Sequence, residues 1–167
     1  MRAKVEAAGL PDWWVAMLMT ASAPALRKTA LVGVEIFAGK AELSGACSRL
    51  VGPMESFEIE NSPRENILNS DGVLYLMELL LRIRTKGLTW LGTPCKSWVC
   101  LSRSFTRRSL LQPAGPPRDY TTDKQCQYLM EHNCIADVCA MVIRTVAALN
   151  INFVVGSCLR TIPSVMP

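Results

Sequence analysis

The chain has 167 residues, half of them hydrophobic and 19% charged, with a formal net charge of +4. That length suits a single main domain, and the apolar content excludes a disordered chain because a packed core can form. The mild positive charge excludes no partner, since nucleic-acid binding needs basic residues gathered on one surface.

Residues 1–29 carry the apolar stretch "WWVAMLMTASA". Glu6 and Asp12 interrupt what would otherwise outline a short signal peptide, so an amphipathic lead-in helix and a Pro-containing linker are expected there. From residue 30 to residue 167 the chain alternates short apolar runs with helical periodicity, the pattern of a parallel α/β sheet. The run "LVGVEIF" at 31–37 predicts a first strand. Ala41, Leu43, Ala46, Cys47 and Leu50 then recur at helical spacing over 40–50. A second strand is expected at 54–59, "MESFEI", followed by the polar "ENSPREN" loop and a brief strand at Ile67 and Leu68.

Asp71-Gly72 opens a helix that runs through "VLYLMELLLRIR" to residue 85, with Gly87 just past its end. A strand at 88–92 leads into the loop "TPCKSW". Residues 102–122 are rich in Ser, Arg, Pro and Gly, and loops of that length tend to carry function. A long helix over 123–149 and a strand at 151–155 complete the pattern. The expected fold is α/β, a Rossmann-like doubly wound, mostly parallel sheet, incomplete at the C-terminus. No apolar run reaches the roughly 18 residues of a membrane span, so no membrane partner is expected.

Ligands of open parallel sheets gather at the carboxyl ends of the strands. Three informative loops lie at such ends: "FAGKAELS", "EIEN" and "GTPCKSW". In the first, Phe37-Ala38-Gly39 turns sharply into a helix; a glycine there lets backbone approach a ligand, and the helix start offers N–H groups. The G-x-G-x-x-G and G-x-x-x-x-G-K-[ST] patterns are absent, which disfavours dinucleotides and nucleoside triphosphates. Glu58 ends the second strand at the separation from Gly39 where an acid accepts ribose hydroxyls. Both Glu58 and Glu60 also read as solvated loop residues. Asp71 has two readings, a helix cap or a contact to the adenine end of a cofactor.

Cys95 lies beside Pro94 and Lys96, and nearby cations raise the thiolate fraction of a cysteine. Neither Cys95 nor Cys100 begins the C-x5-R pattern of a phosphate-binding loop. A papain-like site would need His132, which sits on an unsuitable helix. The seven cysteines show no C-x-x-C pairing, so a zinc or thioredoxin-like site is unsupported. Cys47, Cys134 and Cys139 fall at apolar helical positions, where cysteine packs, and a reducing, intracellular (nuclear or cytoplasmic) compartment fits this usage. Arg103, Arg107 and Arg108 cluster beyond the Pro-Cys loop. A solvated basic loop and a contact to DNA or another nucleic acid both remain open for them.

The blocks "VEIFAGKAELSGACSRL", "FEIEN" and "GLTWLGTPCKSW" together resemble, in order and spacing, the first half of the cytosine-C5 DNA methyltransferase family. They are closer still to a group of methyltransferase-like algal proteins with a TPC-x-S-W loop. The resemblance covers residues 31–100 and, weakly, 123–155. It implies S-adenosyl-L-methionine as cofactor, with Phe37, Ala38 and Gly39 lining its methionine side and Glu58 holding its ribose. It also implies that Pro94 shapes the catalytic loop and that Cys95 adds to C6 of a flipped cytosine. Three departures accompany it. Ala41 replaces the family's second glycine, the stretch Val155-Gly156-Ser157-Cys158 has no acid where the family carries a glutamate, and no target-recognition region is present before Pro167. The chain is therefore expected to be weakly active or inactive alone; a non-catalytic Rossmann-fold remnant serving protein interaction is the alternative.

Overall fold

The computed structural model describes residues 1–94, 102–109 and 111–156. Four strands form one all-parallel sheet: β1 (Leu31–Ile36), β2 (Met54–Phe57), β3 (Ile83–Leu91) and β4 (Asn152–Val155), in the order β2-β1-β3-β4. Parallel neighbours need crossovers. These contain the helices α3 (Glu42–Leu50), α4 (Ser70–Arg82) and α6 (Asp123–Ala148), numbered after the N-terminal helices α1 (Arg2–Ala7) and α2 (Asp12–Ala25) and before or after the short α5 (Arg103–Thr106) in chain order. The chain steps from β1 outward to β2, then back past β1 to β3 and on to β4. The reversal places a crevice at the carboxyl ends of β1 and β3. The fold is α/β and Rossmann-like, as the apolar alternation predicts.

Strand β1 is buried at nearly every position, the pattern of a strand covered on both faces. Val34 and Ile36 enter one continuous core with residues of α1, α2, α4 and α6. No residue of α3 belongs to that core. Glu35, between Val34 and Ile36, alternates to the opposite face and there accepts a hydrogen bond from the backbone of α3.

The N-terminal segment forms two helices where one was expected, because Gly9 adopts a positive φ of 67° and Pro11 caps the second. Pro24 lies inside the last turn of α2. Val5, Trp14 and Leu18 are fully buried. The Trp14 Nε1–H donates to Thr145 Oγ1 of α6 at 2.9 Å, so the indole meets its polar requirement inside the core.

Two local expectations fail for identifiable reasons. No strand forms at Ile67 and Leu68: Asn66 Oδ1 accepts the Leu68 N–H at 2.9 Å, and Asn69 caps α4 by accepting the Gly72 N–H at 2.6 Å. A 3₁₀ turn, Pro63–Glu65, precedes this segment. The helix expected to reach residue 85 stops at Arg82, and Ile83 already pairs with Leu31. Gly87 is therefore a strand residue, not a helix stop. The register between β1 and β3 shifts from Leu31↔Ile83 to Gly33↔Leu88, and Lys86 takes a φ of 63° within that bulge. A Cβ on Gly87 would stand 2.7 Å from the Val32 carbonyl oxygen. The glycine is required by that close approach.

The long loop after β3 contains α5 and a 3₁₀ turn, Arg118–Tyr120. It ends in a reciprocal capping box between Thr122 and Gln125 that starts α6. Among the described residues no helix is long and apolar enough to cross a membrane.

Candidate functional site

Ile36 is paired with Phe57 on one side and with Leu91 on the other. The residues that follow, Phe37, Glu58 and Gly92, therefore leave the sheet side by side. The Phe37 N–H still donates to the Phe57 carbonyl, and the Gly92 N–H to the Ile36 carbonyl, each at 2.9 Å.

Beyond β1 the backbone turns through three left-handed residues: Phe37 (φ 59°), Gly39 (φ 53°) and Ala41 (φ 53°). Left-handed non-glycine residues cost on the order of 1–3 kcal/mol and persist only when the surroundings hold them. Three hydrogen bonds do so here. The Ala41 N–H donates to the Ala38 carbonyl at 2.8 Å. The Gly39 N–H donates to Glu58 Oε2 at 3.0 Å, and the Ser44 N–H to Glu35 Oε2 at 2.7 Å. Helix α3 has Ala41 at its N-cap, with no side-chain capping bond. The buried Glu35 carboxylate supplies that missing acceptor from the adjacent strand, where a negative charge also suits the positive end of the helix.

These strand ends open on a cavity of about 360 Å³, a volume within the usual range for small-molecule sites. Phe37, Gly39, Glu58 and Pro94, expected from separate stretches of sequence, all line it. Ala38 supplies the turn's carbonyl acceptor. Ile67, Leu68 and Ile135 add apolar wall, while Glu65 and Asn66 add polar groups. Glu65 Oε2 accepts the Glu58 N–H at 2.6 Å.

Asp71 is not brought to this cavity. It lines a second one of about 370 Å³ with Arg64, Tyr75 and Glu78, and the capping role open to it belongs to Asn69. In that second cavity the Arg64 guanidinium stacks 4.2 Å above the Tyr75 ring, and Glu78, on its wall, pairs with Lys28 at 2.5 Å. Burial, aided by Glu55 and Glu65, pushes the Tyr75 hydroxyl pKa upward.

Cys95 lies outside the described residues, as do Lys96, Ser157 and Cys158. Pro94, immediately before Cys95, reaches the cavity wall. Of the arginine cluster, Arg103 and Arg107 are exposed, and Arg107 Nη1 donates to the Tyr120 carbonyl at 3.1 Å. Arg108 is buried, with its pKa lowered by that burial, and donates to the Pro113 carbonyl. It braces the loop instead of presenting a surface charge.

The cysteine expectations divide. Cys139 is buried and its thiol is pushed up to about 12 by desolvation. Cys47 is half-buried, and Cys134 is exposed instead of packed. His132 Nδ1 lies 2.9 Å from the Tyr128 carbonyl and its ring stands 4.2 Å from that of Tyr128, a structural setting. Among the described residues no group of three or more His, Cys, Asp or Glu side chains gathers as a metal site.

Sequence reasoning missed Glu35 and Glu65. A charge inside the apolar run "LVGVEIF" was the available signal for Glu35; Glu65, in a polar loop, offered none. No protein-family model, no curated protein and no solved structure matches this chain.

Proposed function

We propose that the chain is an S-adenosylmethionine-binding, methyltransferase-like domain related to the cytosine-C5 DNA methyltransferases, with the cofactor held in the cavity beside Gly39 and Glu58. The observation that carries this reading is the 3.0 Å hydrogen bond joining those two residues at the ends of adjacent parallel strands. The residues present suit such a cofactor. Glu58 accepts the Gly39 N–H through Oε2 and can accept from a ribose hydroxyl through Oε1. Ile67, Leu68 and Ile135 offer apolar wall for a flat heterocycle, and Phe37 stands with Gly39 for the methionine side. S-adenosylmethionine supplies an electrophilic methyl group when bound.

In this reading the Cys95 thiolate adds to C6 of a cytosine drawn out of its stack, which makes C5 nucleophilic. Pro94 orients the loop that carries it. Of the arginine cluster, Arg103 and Arg107 are exposed and can meet a nucleic-acid backbone. General-acid help at the ring is worth roughly 10²–10⁴ in rate, and residues 155–158 contain no acid to supply it. Little methyl transfer is therefore expected from the chain alone.

Calorimetric titration with S-adenosylmethionine and with S-adenosylhomocysteine tests the proposal. Binding is expected to weaken by about 1–3 kcal/mol in Glu58→Ala, the loss for a removed hydrogen-bonding partner. Absence of both heat and a melting shift at millimolar cofactor would sink it. A protein-interaction role is the second reading. It draws on β4, whose Phe153, Val154 and Val155 are 41%, 40% and 45% exposed, an unusual state for a strand in a parallel sheet.

A further inference from the structure

The 3₁₀ turn Pro63–Glu65 sits between the two cavities and sends one side chain into each. Ser62 Oγ accepts the Arg64 N–H at 3.2 Å, which shapes the turn. Arg64 then stacks on Tyr75 of α4, while Glu65 points the other way and accepts the Glu58 N–H at 2.6 Å. Glu58 in turn accepts the Gly39 N–H. Two carboxylates in series thus connect the turn before α4, the loop after β2 and the strained loop after β1. Charge-assisted bonds to backbone N–H groups are among the stronger hydrogen bonds. The left-handed loop at 37–41 is also tied to β2 at its start, where the Phe37 N–H donates to the Phe57 carbonyl at 2.9 Å.

We propose that Glu65 is a positioning residue for the cavity: it acts through Glu58 to set the place of the Gly39 N–H, with the Arg64–Tyr75 stack as its anchor. The proposal rests on the reading of this cavity as an S-adenosylmethionine site. Glu65 need not touch the cofactor. Without its carboxylate the Glu58 backbone loses its acceptor, the Glu58 side chain swings, and Gly39 loses the partner that holds it.

Two measurements on the full chain test this. S-adenosylhomocysteine affinity by calorimetry should fall about tenfold or more in Glu65→Ala, the scale of one lost charged hydrogen bond. Glu65→Gln retains an acceptor oxygen and should stay within about threefold of wild type. Tyr75→Leu, which removes the platform under Arg64, should fall between them. In parallel, amide hydrogen exchange without ligand should show Gly39 protected in the wild type and in Glu65→Gln, and faster-exchanging in Glu65→Ala. A merely structural role would lower the melting temperature of the two Glu65 variants alike and leave Gly39 exchange unchanged. Equal affinity of Glu65→Ala and wild type, equal weakness of the Gln and Ala variants, or unaltered Gly39 exchange in Glu65→Ala would each overturn the assignment. If the wild type binds no ligand, the cofactor reading fails, and the exchange of Gly39 alone decides whether the relay exists.

Discussion

Gly72 occupies the first turn of α4, where helix propensity alone favours alanine by about 1 kcal/mol. Its surroundings oppose that preference. A Cβ built on Gly72 falls 1.8 Å from the Asn66 carbonyl oxygen, 2.5 Å from the Asn66 carbonyl carbon and 2.9 Å from Asn69 Oδ1. Backbone cannot rotate aside as a side chain can, so the Asn66 peptide must retreat by more than an ångström to restore van der Waals contact. Overpacking of this type costs about 1–3 kcal/mol. Disturbing the Asn69 cap, whose Oδ1 accepts the Gly72 N–H at 2.6 Å, adds about 0.5–2 kcal/mol. After the propensity gain, Gly72→Ala should destabilise the fold by about 0.5–4 kcal/mol. At roughly 2–4 °C per kcal/mol for a chain of this size, the melting temperature should drop by about 1–16 °C. Urea unfolding should show a lower midpoint with an unchanged slope. Because Asn66 lines the cavity, ligand affinity should fall as well. A melting temperature equal to or above that of the wild type would mean that the Asn66 segment yields freely, and the close approach would then constrain nothing.

Trp14→Phe keeps an aromatic body but removes the N–H that Thr145 accepts; urea unfolding should register a loss of about 1–3 kcal/mol. A double-mutant cycle with Thr145→Val should show that the two losses are not additive, and simple additivity would dissolve the pairing. Burial raises the Cys139 thiol from 9.0 to about 12. Between those values the folded chain holds a proton that the unfolded chain has released, so this contribution to stability is complete below the lower value and is lost as pH rises toward the upper one. The slope is about 1.4 kcal/mol per pH unit. Cys139→Ala should remove it, and parallel pH–stability curves for variant and wild type would refute the assignment. At pH 8, limiting iodoacetamide should label exposed Cys134 well before Cys139.

Where apolar periodicity is long and uninterrupted, the elements were legible: β1, α3, β2 and α6 lie within a few residues of their expected bounds. The failures have two causes, a tertiary pairing in one place and local side-chain capture of backbone N–H groups in the other. The apolar period of "LYLMELLLRIR" continues through Ile83, but pairing with Leu31 claims that residue for the sheet. Ile67 and Leu68 have the composition of a strand, but the Asn66 and Asn69 side chains capture the local N–H groups first. Phe37, Gly39, Glu58 and Pro94 could be assigned to one site because each follows a strand, and the carboxyl ends of β1, β2 and β3 are neighbours. Asp71 could not be sorted that way. It stands at a helix start, and the direction of that helix is set by how α4 packs on α2 and the sheet. Glu65 was invisible for a related reason: its partner is a backbone N–H, which leaves no mark in the sequence.

The bond between Trp14 and Thr145 spans 131 residues of chain. At a synthesis rate of roughly 5–20 residues per second, the two side chains emerge on the order of ten seconds apart. Once α4 has emerged, about midway through that interval, α2 can settle against it, but its most buried aromatic has no acceptor and the slot for α6 stands open. The nascent chain thus carries a large apolar surface that no local rearrangement can cover, and its final enclosure waits on α6. A translational pause at any codon between those of Trp14 and Thr145 would lengthen that exposure, whereas a pause after Ala148 would not.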